Sequence, residues 1–483
     1  MAPVPTAEPT APIAPPKASH PTAFWFIFFG ELAERASFYG MRAVLTLYLV
    51  HVFGYSREAA SDLYHTYMAA CYFTPLIGGW VADRYLGKYW TIVGFAVPYV
   101  IGQLLVGLSN EYLMFGALAL LAMGSGVIKP NISTLMGLTY DQQRPGQDQL
   151  RSQAFSWFYV AINMGSFLAS NICPWLRDTF GKMVPDPADP KRLVPSDPQA
   201  GYLAAFLVPA VLMVVALAVF AAGKRFYAVE TVDRTPPTPA ERASRWRVVG
   251  QVGGLFALVM FFWAVFDQKA STWVFFAEDY LDLYVLGYRI APDRVMSLNP
   301  LFIILLVPVM NRVYAALVAR GYDVSPTNKM MAGFLLTAAC MGLHAVAGYA
   351  ATNPDGSITR VSILWQVLAY VTLTVAEILI SVTGLELAFT AAPKSMKGFV
   401  TALWLVTVGL ANLLVNKPVT QMYPGKDTPT VSFLKWKLVE LPAGAKFTSA
   451  ADYFAALTVG MLVVTVVFYF VARRFKRTQQ VAG

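Results

Sequence analysis

The chain is a series of long apolar runs separated by short polar segments. A helix that crosses a bilayer needs about 20 mostly apolar residues, and twelve runs are long enough or nearly so. The first six lie at 23–51, 61–82, 89–109, 112–138, 153–175 and 201–223; the second six lie at 248–276, 297–319, 329–350, 361–390, 397–420 and 451–472. This pattern predicts an all-α integral membrane protein with twelve transmembrane helices in two six-helix bundles.

A basic, proline-containing connector at 224–247 separates the two sets of runs. It predicts an N-terminal bundle at 23–223 and a C-terminal bundle at 248–475. A Pro- and Ala-rich tail at 1–22 lacks the apolar core of a signal peptide, so we expect it to be disordered. A short tail at 476–483 follows the last run.

The basic loops all fall on one side of this predicted topology. They are the connector, the turns at 84–88 and 394–397, and the C-terminal tail. Because cytoplasmic loops carry an excess of Lys and Arg, we expect this side and both termini to be cytoplasmic. The opposite side carries longer loops of mixed charge, at 177–199, 278–296 and 422–449.

Composition excludes several classes of protein. Hydrophobic residues make up 57% of the chain and charged residues 13%, whereas a soluble domain carries about 25% charged residues. The net charge of +9 comes from residues beside the apolar runs, so nucleic acid is not an expected partner. The three cysteines and four histidines have no metal-ligand spacing. We therefore expect no metal, no cofactor, no enzyme active site and no receptor signalling domain.

Four charged residues interrupt the first apolar run: Glu31, Glu34, Arg35 and Arg42. Each charge held at mid-bilayer costs about 2.5–3.5 kcal/mol on insertion scales. At about 100° per residue the four fall within roughly a 100° arc, with Tyr39 at its edge. The spacing predicts one wet, charged stripe on a helix whose other sides can meet lipid. Intramembrane acids beside bases indicate movement of protons or ions.

The short loop at 78–88 resembles the cytoplasmic loop signature of the major facilitator superfamily. Its glycines allow close helix approach, and its charged residues Asp83, Arg84 and Lys88 can cap or clamp neighbouring helix ends. We expect these three residues to have a structural and gating role. Glu386, near the same side, is also expected to act at a gate rather than to contact a substrate.

The charged stripe at 31–40 resembles the E-x-x-E-R-F-x-Y-Y-G motif of the proton-dependent oligopeptide transporter (POT) family. Five further segments resemble motifs of that family in the family's order: 124–131, 158–166, 262–268, 297–300 and 377–386. The resemblance implies a major facilitator fold and a monomeric bacterial symporter that imports di- and tripeptides with protons. The alternative is a transporter of the same fold for another anion or zwitterion, such as nitrate or a peptide-like drug.

A free peptide is a zwitterion, so its site needs a fixed cation, a fixed anion, amides and a roomy pocket. Arg42 and Lys129 supply cations in the N-terminal half, and Glu377, with Ser381 on the same helical face, supplies the anion. The resemblance assigns the same roles to these positions. The amide and aromatic candidates are Asn163, Asn299, Tyr39, Tyr72, Tyr159, Trp263 and Trp404.

Structural roles remain open for several of these candidates. Lys129 precedes Pro130 and can satisfy carbonyls at a helix break. The two asparagines can join helices by hydrogen bonds, and Tyr72 and Trp404 can be packing residues. Lys269 can pair with an acid or face outward.

Proton coupling needs a carboxylate whose protonation breaks a salt bridge. The first candidate is Asp267, with Arg42 as its partner across the two halves. The second is the pair Glu31 and Glu34, balanced by Arg35 and Lys129. His65 can carry a proton or serve only as a packing residue.

The chain departs from the family motif in three ways. Ala36 and Phe38 stand where the motif has Phe and its first Tyr, and Asp267 is one methylene shorter than the Glu of many relatives. The connector has no room for two additional helices, which many bacterial relatives insert. The prediction is therefore twelve helices rather than fourteen.

Overall fold

The computed structural model describes residues 19–187, 189–230, 239–384, 397–424 and 446–482. The N-terminal half of the described chain is built from six long helices. They are α1 Thr22–Phe53, α2 Arg57–Val81, α3 Gly87–Val106, α4 Glu111–Gln143, α5 Asp148–Gly181 and α6 Pro198–Ala222. Side chains of Ser56, Asn110 and Asp197 cap α2, α4 and α6, and Gly54 ends α1 with φ of 67°.

The C-terminal half is built from longer and shorter helical pieces. They are α7 Pro239–Asp267, α8 Thr272–Tyr280, α9 Leu298–Ala319, α10 Pro326–Ala351, α11 Leu364–Glu377, α12 Lys397–Leu410, α13 Lys417–Gln421 and α14 Ala450–Ala482. A 3-10 turn at Gln268–Ala270 joins α7 to α8, and a π-helical segment at Ala411–Asn416 joins α12 to α13. A second π-helical segment, Ile378–Val382, follows α11. With these joints, the described residues of this half form six helical stretches that are long and apolar enough to span a membrane.

We call the end of the molecule where α1 begins the near end and the opposite one the far end. Three two-stranded sheets lie at the far end. They pair β1 Met183–Asp186 with β2 Asp189–Pro195, β3 Leu281–Asp282 with β6 Val361–Ser362, and β4 Tyr284–Val285 with β5 Tyr288–Arg289. The remaining short elements are a π-helical segment at Ala82–Leu86 and 3-10 turns at Lys224–Phe226 and Pro292–Ser297.

Ten helical stretches of the described chain are long and apolar enough to span a membrane. One of them, Arg57–Val106, contains both α2 and α3, and α5 is absent from the ten although it is 34 residues long. Its polar and charged residues lower its mean hydropathy without shortening it. With α2 and α3 counted separately and α5 added, the described residues contain twelve helical stretches of membrane-spanning length, the number that the sequence predicts.

Several helix ends differ from the predicted runs. Helix α7 begins at Pro239, inside the predicted connector, because proline at the first turn favours a helix start. The segment at 278–296, predicted as a loop, contains the end of α8, the β4–β5 hairpin and a 3-10 turn. Apolar runs locate the membrane-facing part of a helix, and they miss turns that continue into the polar region.

Helix α1 is buried on nearly all sides, which corrects the prediction that part of it faces lipid. It packs against α5 and α6 over most of its length and also contacts α2 and α4. From Gly30 to Leu49 nearly every residue is buried, and the exposed side chains Trp25 and Phe29 lie near its start. Hydropathy cannot distinguish lipid from an apolar protein interior, so the sequence pattern alone could not reveal this.

The contact of α1 with α5 is close because small residues face each other. A Cβ atom at Gly165 of α5 would lie 2.6 Å from the Leu32 carbonyl oxygen and 3.0 Å from the Ala36 nitrogen. Ala36 stands where the family motif of this helix has a Phe residue. A small residue there fits the close approach of the two backbones.

Candidate functional site

An ion pair between α1 and the end of α7 joins the two halves. Arg42 Nη2 lies 2.6 Å from Asp267 Oδ1, and the Arg42 Nε donates to the Tyr64 hydroxyl. The Asn412 amide donates to the other oxygen of Asp267 at 2.7 Å. The side chains of the ion pair are 3–4% exposed. These are the two residues whose pairing the sequence predicts, and each has an additional neutral partner that the sequence reasoning missed.

A buried histidine extends this network. His65 Nδ1 lies 2.6 Å from Asn412 Oδ1, and His65 Nε2 lies 3.1 Å from Ser271 Oγ. Because the Asn412 nitrogen donates to Asp267, its oxygen accepts, which assigns the His65 proton to Nδ1. The signal that could have found Asn412 is its spacing from Asn416, one helical turn apart in an apolar run.

Glu31, Glu34 and Arg35 form a separate cluster within α1. Arg35 Nε lies 3.0 Å from Glu31 Oε1, and Arg35 Nη2 contacts Glu34. All three side chains are almost fully buried. The predicted wet stripe is therefore wrong: its first three charges are enclosed in the N-terminal half, and only Arg42 reaches the other half. With both acids ionised the cluster carries one net negative charge, which a single proton removes.

Lys129 lies against aromatic rings rather than against the glutamates. Its Nζ is 3.8 Å from the centre of the Phe38 ring and 5.2 Å from that of Tyr72. No carboxylate of a described residue lies within ion-pair distance of it, so Arg35 rather than Lys129 pairs with Glu31 and Glu34. Phe38, the second departure from the motif, supplies a ring face that favours a cation.

In the C-terminal half, Lys269 and Glu377 are joined through one amide. Lys269 Nζ donates to Asn299 Oδ1 at 2.7 Å, and Asn299 Nδ2 donates to Glu377 Oε2 at 2.7 Å and to Thr374 Oγ1 at 3.1 Å. Lys269 and Asn299 are buried and Glu377 is half-buried. The charges of Arg42 and Asp267 also act on Glu377, so this chain of contacts adjoins the Arg42–Asp267 pair.

The other predicted peptide-binding residues lie in both halves of the molecule. Trp263 and Trp404 contact each other in the C-terminal half, with ring centres 6.2 Å apart. Tyr159 is 40% exposed and lies within electrostatic reach of Tyr39 and Glu377. Ser381 lies half-buried in the π-helical segment that follows α11. The Asn163 amide donates to the Tyr159 carbonyl of its own helix at 2.9 Å.

The predicted gating residues lie at the turn between α2 and α3. Lys88 pairs with the exposed Asp83, and Arg84 lies half-buried in the π-helical segment between them. Glu230 of the connector accepts from the backbone nitrogens of Lys88 and Tyr89 at 2.6 and 3.0 Å, and so caps the start of α3. Glu386 lies outside the residues that the structure describes.

Every ion pair between the two halves, among the described residues, lies towards the far end. Arg57 contacts Glu278 and Asp279, Arg177 contacts Asp293, and Arg289 lies 3.8 Å from Asp178. Lys417 lies 3.2 Å from Asp62, and Lys446 lies 3.0 Å from Glu58. The Arg42–Asp267 pair, with side chains 4% and 3% exposed, is the most enclosed of the set after Arg177–Asp293. The halves are thus held together by charge at one end of the molecule.

A cavity of about 650 Å³ opens at this far end between the two halves. Its lining includes Arg57, Glu58, Asp279 and Lys446, whose charges are paired with one another. No group of three or more His, Cys, Asp or Glu side chains in the described ranges is arranged to hold a metal ion.

The sequence of the chain matches a known protein family. The model of the POT family matches residues 89–245 and 238–432. Solute carrier family 15 member 1 of Mus musculus is 31% identical over 68% of this chain and 52% of its own length. Peptide transporter family 1 of Drosophila melanogaster is 32% identical over 74% of this chain and 52% of its own. The chain spans about half the length of the curated relatives it matches.

Solved structures agree with this placement. The superposition on the in meso crystal structure of the POT family transporter PepTSo covers 95% of this chain and 99% of the PepTSo chain. The TM-score is 0.76 and the sequence identity is 27%. The crystal structure of an auto-inhibited POT family peptide transporter covers 94% and 97%, with a TM-score of 0.73 and 26% identity. The predicted all-α, multi-pass membrane architecture of the major facilitator type is confirmed. The chain belongs to the POT family.

Proposed function

We propose that this protein is a proton-coupled symporter that imports di- and tripeptides by alternating access. The observation that carries the proposal is a pair of opposite charges held on opposite halves. Lys129 of the N-terminal half lies over the Phe38 and Tyr72 rings, and Glu377 of the C-terminal half accepts from Asn299; neither forms an ion pair with another described residue. A zwitterion matches this arrangement, and the names of the curated relatives agree with it.

In this proposal Lys129 binds the peptide carboxylate and Glu377 binds its ammonium group. Charge-assisted hydrogen bonds of this kind contribute about 1.5–3 kcal/mol each. Tyr39 and Tyr159 line the space beside Glu377 and contact the peptide backbone or side chains. Trp263 and Trp404 form the aromatic wall in the C-terminal half.

Protonation of Asp267 is the coupling step of the proposed cycle. A neutral Asp267 no longer holds Arg42, which is then free to join Lys129 in binding the carboxylate. Loss of this pair also removes one of the enclosed contacts between the halves. The Glu31–Glu34–Arg35 cluster is the second candidate for the proton, because one proton neutralises it.

The positions of the basic loops support an orientation of the protein in the membrane. We assign the near end, with both termini, to the cytoplasm of a bacterial inner membrane, since the basic loops lie there. The far end, where ion pairs join the halves beside the cavity, is then the outer side of a monomeric transporter. Asp83, Arg84, Lys88 and Glu386 act at the inner side.

The test is uptake of labelled dialanine into proteoliposomes under an inward proton gradient. Accumulation that disappears with a protonophore is expected. Exchange of dialanine without accumulation would keep the peptide site and reject proton coupling. If dialanine is neither transported nor able to compete, the peptide assignment fails, and competition by nitrate would then favour the anion carrier.

A further inference from the structure

Lys269 is a buried cation for which the proposed cycle has no use. It follows Asp267 by two residues, in the 3-10 turn between α7 and α8, and it is 5% exposed. Its Nζ lies 3.2 Å from the centre of the Phe266 ring and donates to Asn299. Among the described residues no carboxylate lies within ion-pair distance of it. Glu377 is its nearest linked anion, through the Asn299 amide.

Binding of a zwitterionic dipeptide places a second cation beside Glu377, although it adds no net charge to the interface. In the empty site Arg42 is paired with Asp267, and Lys269 is balanced by Glu377 through Asn299. A zwitterion placed as proposed gives its carboxylate to Lys129 and its ammonium to Glu377. Glu377 is then shared between two cations. A buried charge without full compensation is costly, so a second substrate carboxylate beside Lys269 would stabilise the complex.

The position of such a carboxylate follows from the chain of contacts. The ammonium of a peptide and the side chain of its first residue leave the same Cα atom. With the ammonium at Glu377, the first side chain is therefore the one that starts next to the Asn299–Lys269 pair. The second residue begins a full peptide unit away, about 3.8 Å further along the backbone.

We propose that Lys269 is a specificity residue that selects peptides with an acidic side chain on the first residue. The inference rests on the proposed function, since it takes the ammonium of a peptide to bind Glu377. The favoured substrates are acidic dipeptides in which the first side chain pairs with Lys269. Peptides with a basic first residue are disfavoured, because they place a second cation beside it.

The experiment measures inhibition of dialanine uptake by Glu-Ala, by its neutral isostere Gln-Ala, and by Ala-Glu. It uses proteoliposomes at pH 6.5, where the free glutamate side chain is ionised. In the unmodified protein, Glu-Ala is expected to inhibit about tenfold more strongly than Gln-Ala, as one charge-assisted hydrogen bond predicts. In Lys269→Gln the ratio of the two inhibition constants falls to about one, and in Lys269→Arg, which keeps the charge, a preference remains.

Three outcomes would overturn the inference. Equal inhibition by Glu-Ala and Gln-Ala in the unmodified protein is one, and it applies even if Lys269→Gln does not fold. An unchanged ratio in Lys269→Gln is the second. The third is inhibition by Ala-Glu that is as strong as inhibition by Glu-Ala and is lost in Lys269→Gln. That result would show that Lys269 does not select for an acidic side chain on the first residue in particular. Absence of dialanine uptake in the unmodified protein rejects the proposed function instead, so the two failures are distinguishable.

Discussion

Two asparagines position the buried charges of this protein. Asn412 joins Asp267 to His65, and Asn299 joins Glu377 to Lys269. In each case the amide donates to the carboxylate and accepts from a second group, so the direction of every hydrogen bond is fixed. A neutral bridge orients a carboxylate without neutralising it.

Replacing Asp267 with Asn is expected to uncouple transport from the proton gradient. The substitution keeps the side-chain shape but leaves Arg42 without an anionic partner, and breaking a buried ion pair costs about 3–5 kcal/mol. Accumulation of dialanine under a proton gradient should fall at least to one tenth of the unmodified level (~10-fold, about 1.4 kcal/mol), while exchange of dialanine at equal pH continues. Gradient-driven accumulation at the original level would reject Asp267 as the coupling group.

Replacing Glu377 with Gln is expected to weaken binding of free dipeptides about 10- to 100-fold, because the ammonium loses its anionic partner. The measurement is the inhibition constant of Ala-Ala against that of N-acetyl-Ala-Ala, which has no ammonium group. The acetylated peptide should be affected much less. An equal loss for both peptides would show that Glu377 acts on the shape of the site rather than on the ammonium.

Helix packing in the N-terminal half depends on small residues between α1 and α5. Gly165 approaches the α1 backbone at Leu32 and Ala36, one turn from the glutamates of the α1 cluster. Because α1 is enclosed by other helices, its charges are held by neighbours on several sides. The geometry of the Glu31–Glu34–Arg35 cluster therefore depends on how closely α5 can approach.

The variant Gly165→Ala is expected to lower the free energy of unfolding by about 1–3 kcal/mol, since the added methyl group overlaps backbone atoms of α1. Thermal unfolding in detergent measures the effect. The matched control is Gly116→Ala in α4, where a Cβ atom meets nothing within 4 Å. Equal melting temperatures for the two variants would contradict the close approach.

Among the described residues, six charge contacts of unequal exposure join the two halves at the far end besides the Arg42–Asp267 pair. The Arg177–Asp293 pair is the most enclosed of these, with side chains 2% and 0% exposed. Pairs nearer the surface, such as Lys446–Glu58, are 27% exposed and contribute less. The enclosed pairs are therefore the ones whose loss changes the balance between closed and open forms.

Asp293→Asn is expected to shift the molecule towards opening at the far end, because the remaining ion-pair partner of Arg177 among the described residues, Asp178, lies on its own helix. Spin labels at the exposed positions Leu108 and Leu286, one on each half, report the distance. A longer distance should become populated in the variant. The control is Glu58→Gln, which removes an exposed pair, and a similar change there would contradict the ranking by depth.

The sequence predicted the number of crossings, the family and the partners Arg42 and Asp267, which lie 225 positions apart. These predictions came from local motifs, because each motif is a contiguous segment of the sequence. Tyr64 and Asn412 were missed because their contacts depend on the rotation of α2 and of the α12–α13 segment. The burial of α1 and the position of Lys129 over Phe38 also depend on neighbours that hydropathy does not identify.

The capping contact of Glu230 on the start of α3 has a mechanical consequence. It attaches the connector to the N-terminal half, while the C-terminal half begins at Pro239. Nine chain steps of at most about 3.6 Å then limit the separation of these two points to roughly 32 Å. The connector therefore sets an upper bound on the separation of the two halves at the near end. Release of Glu230 from α3 would lengthen the free part of the connector without changing a residue of the transport site.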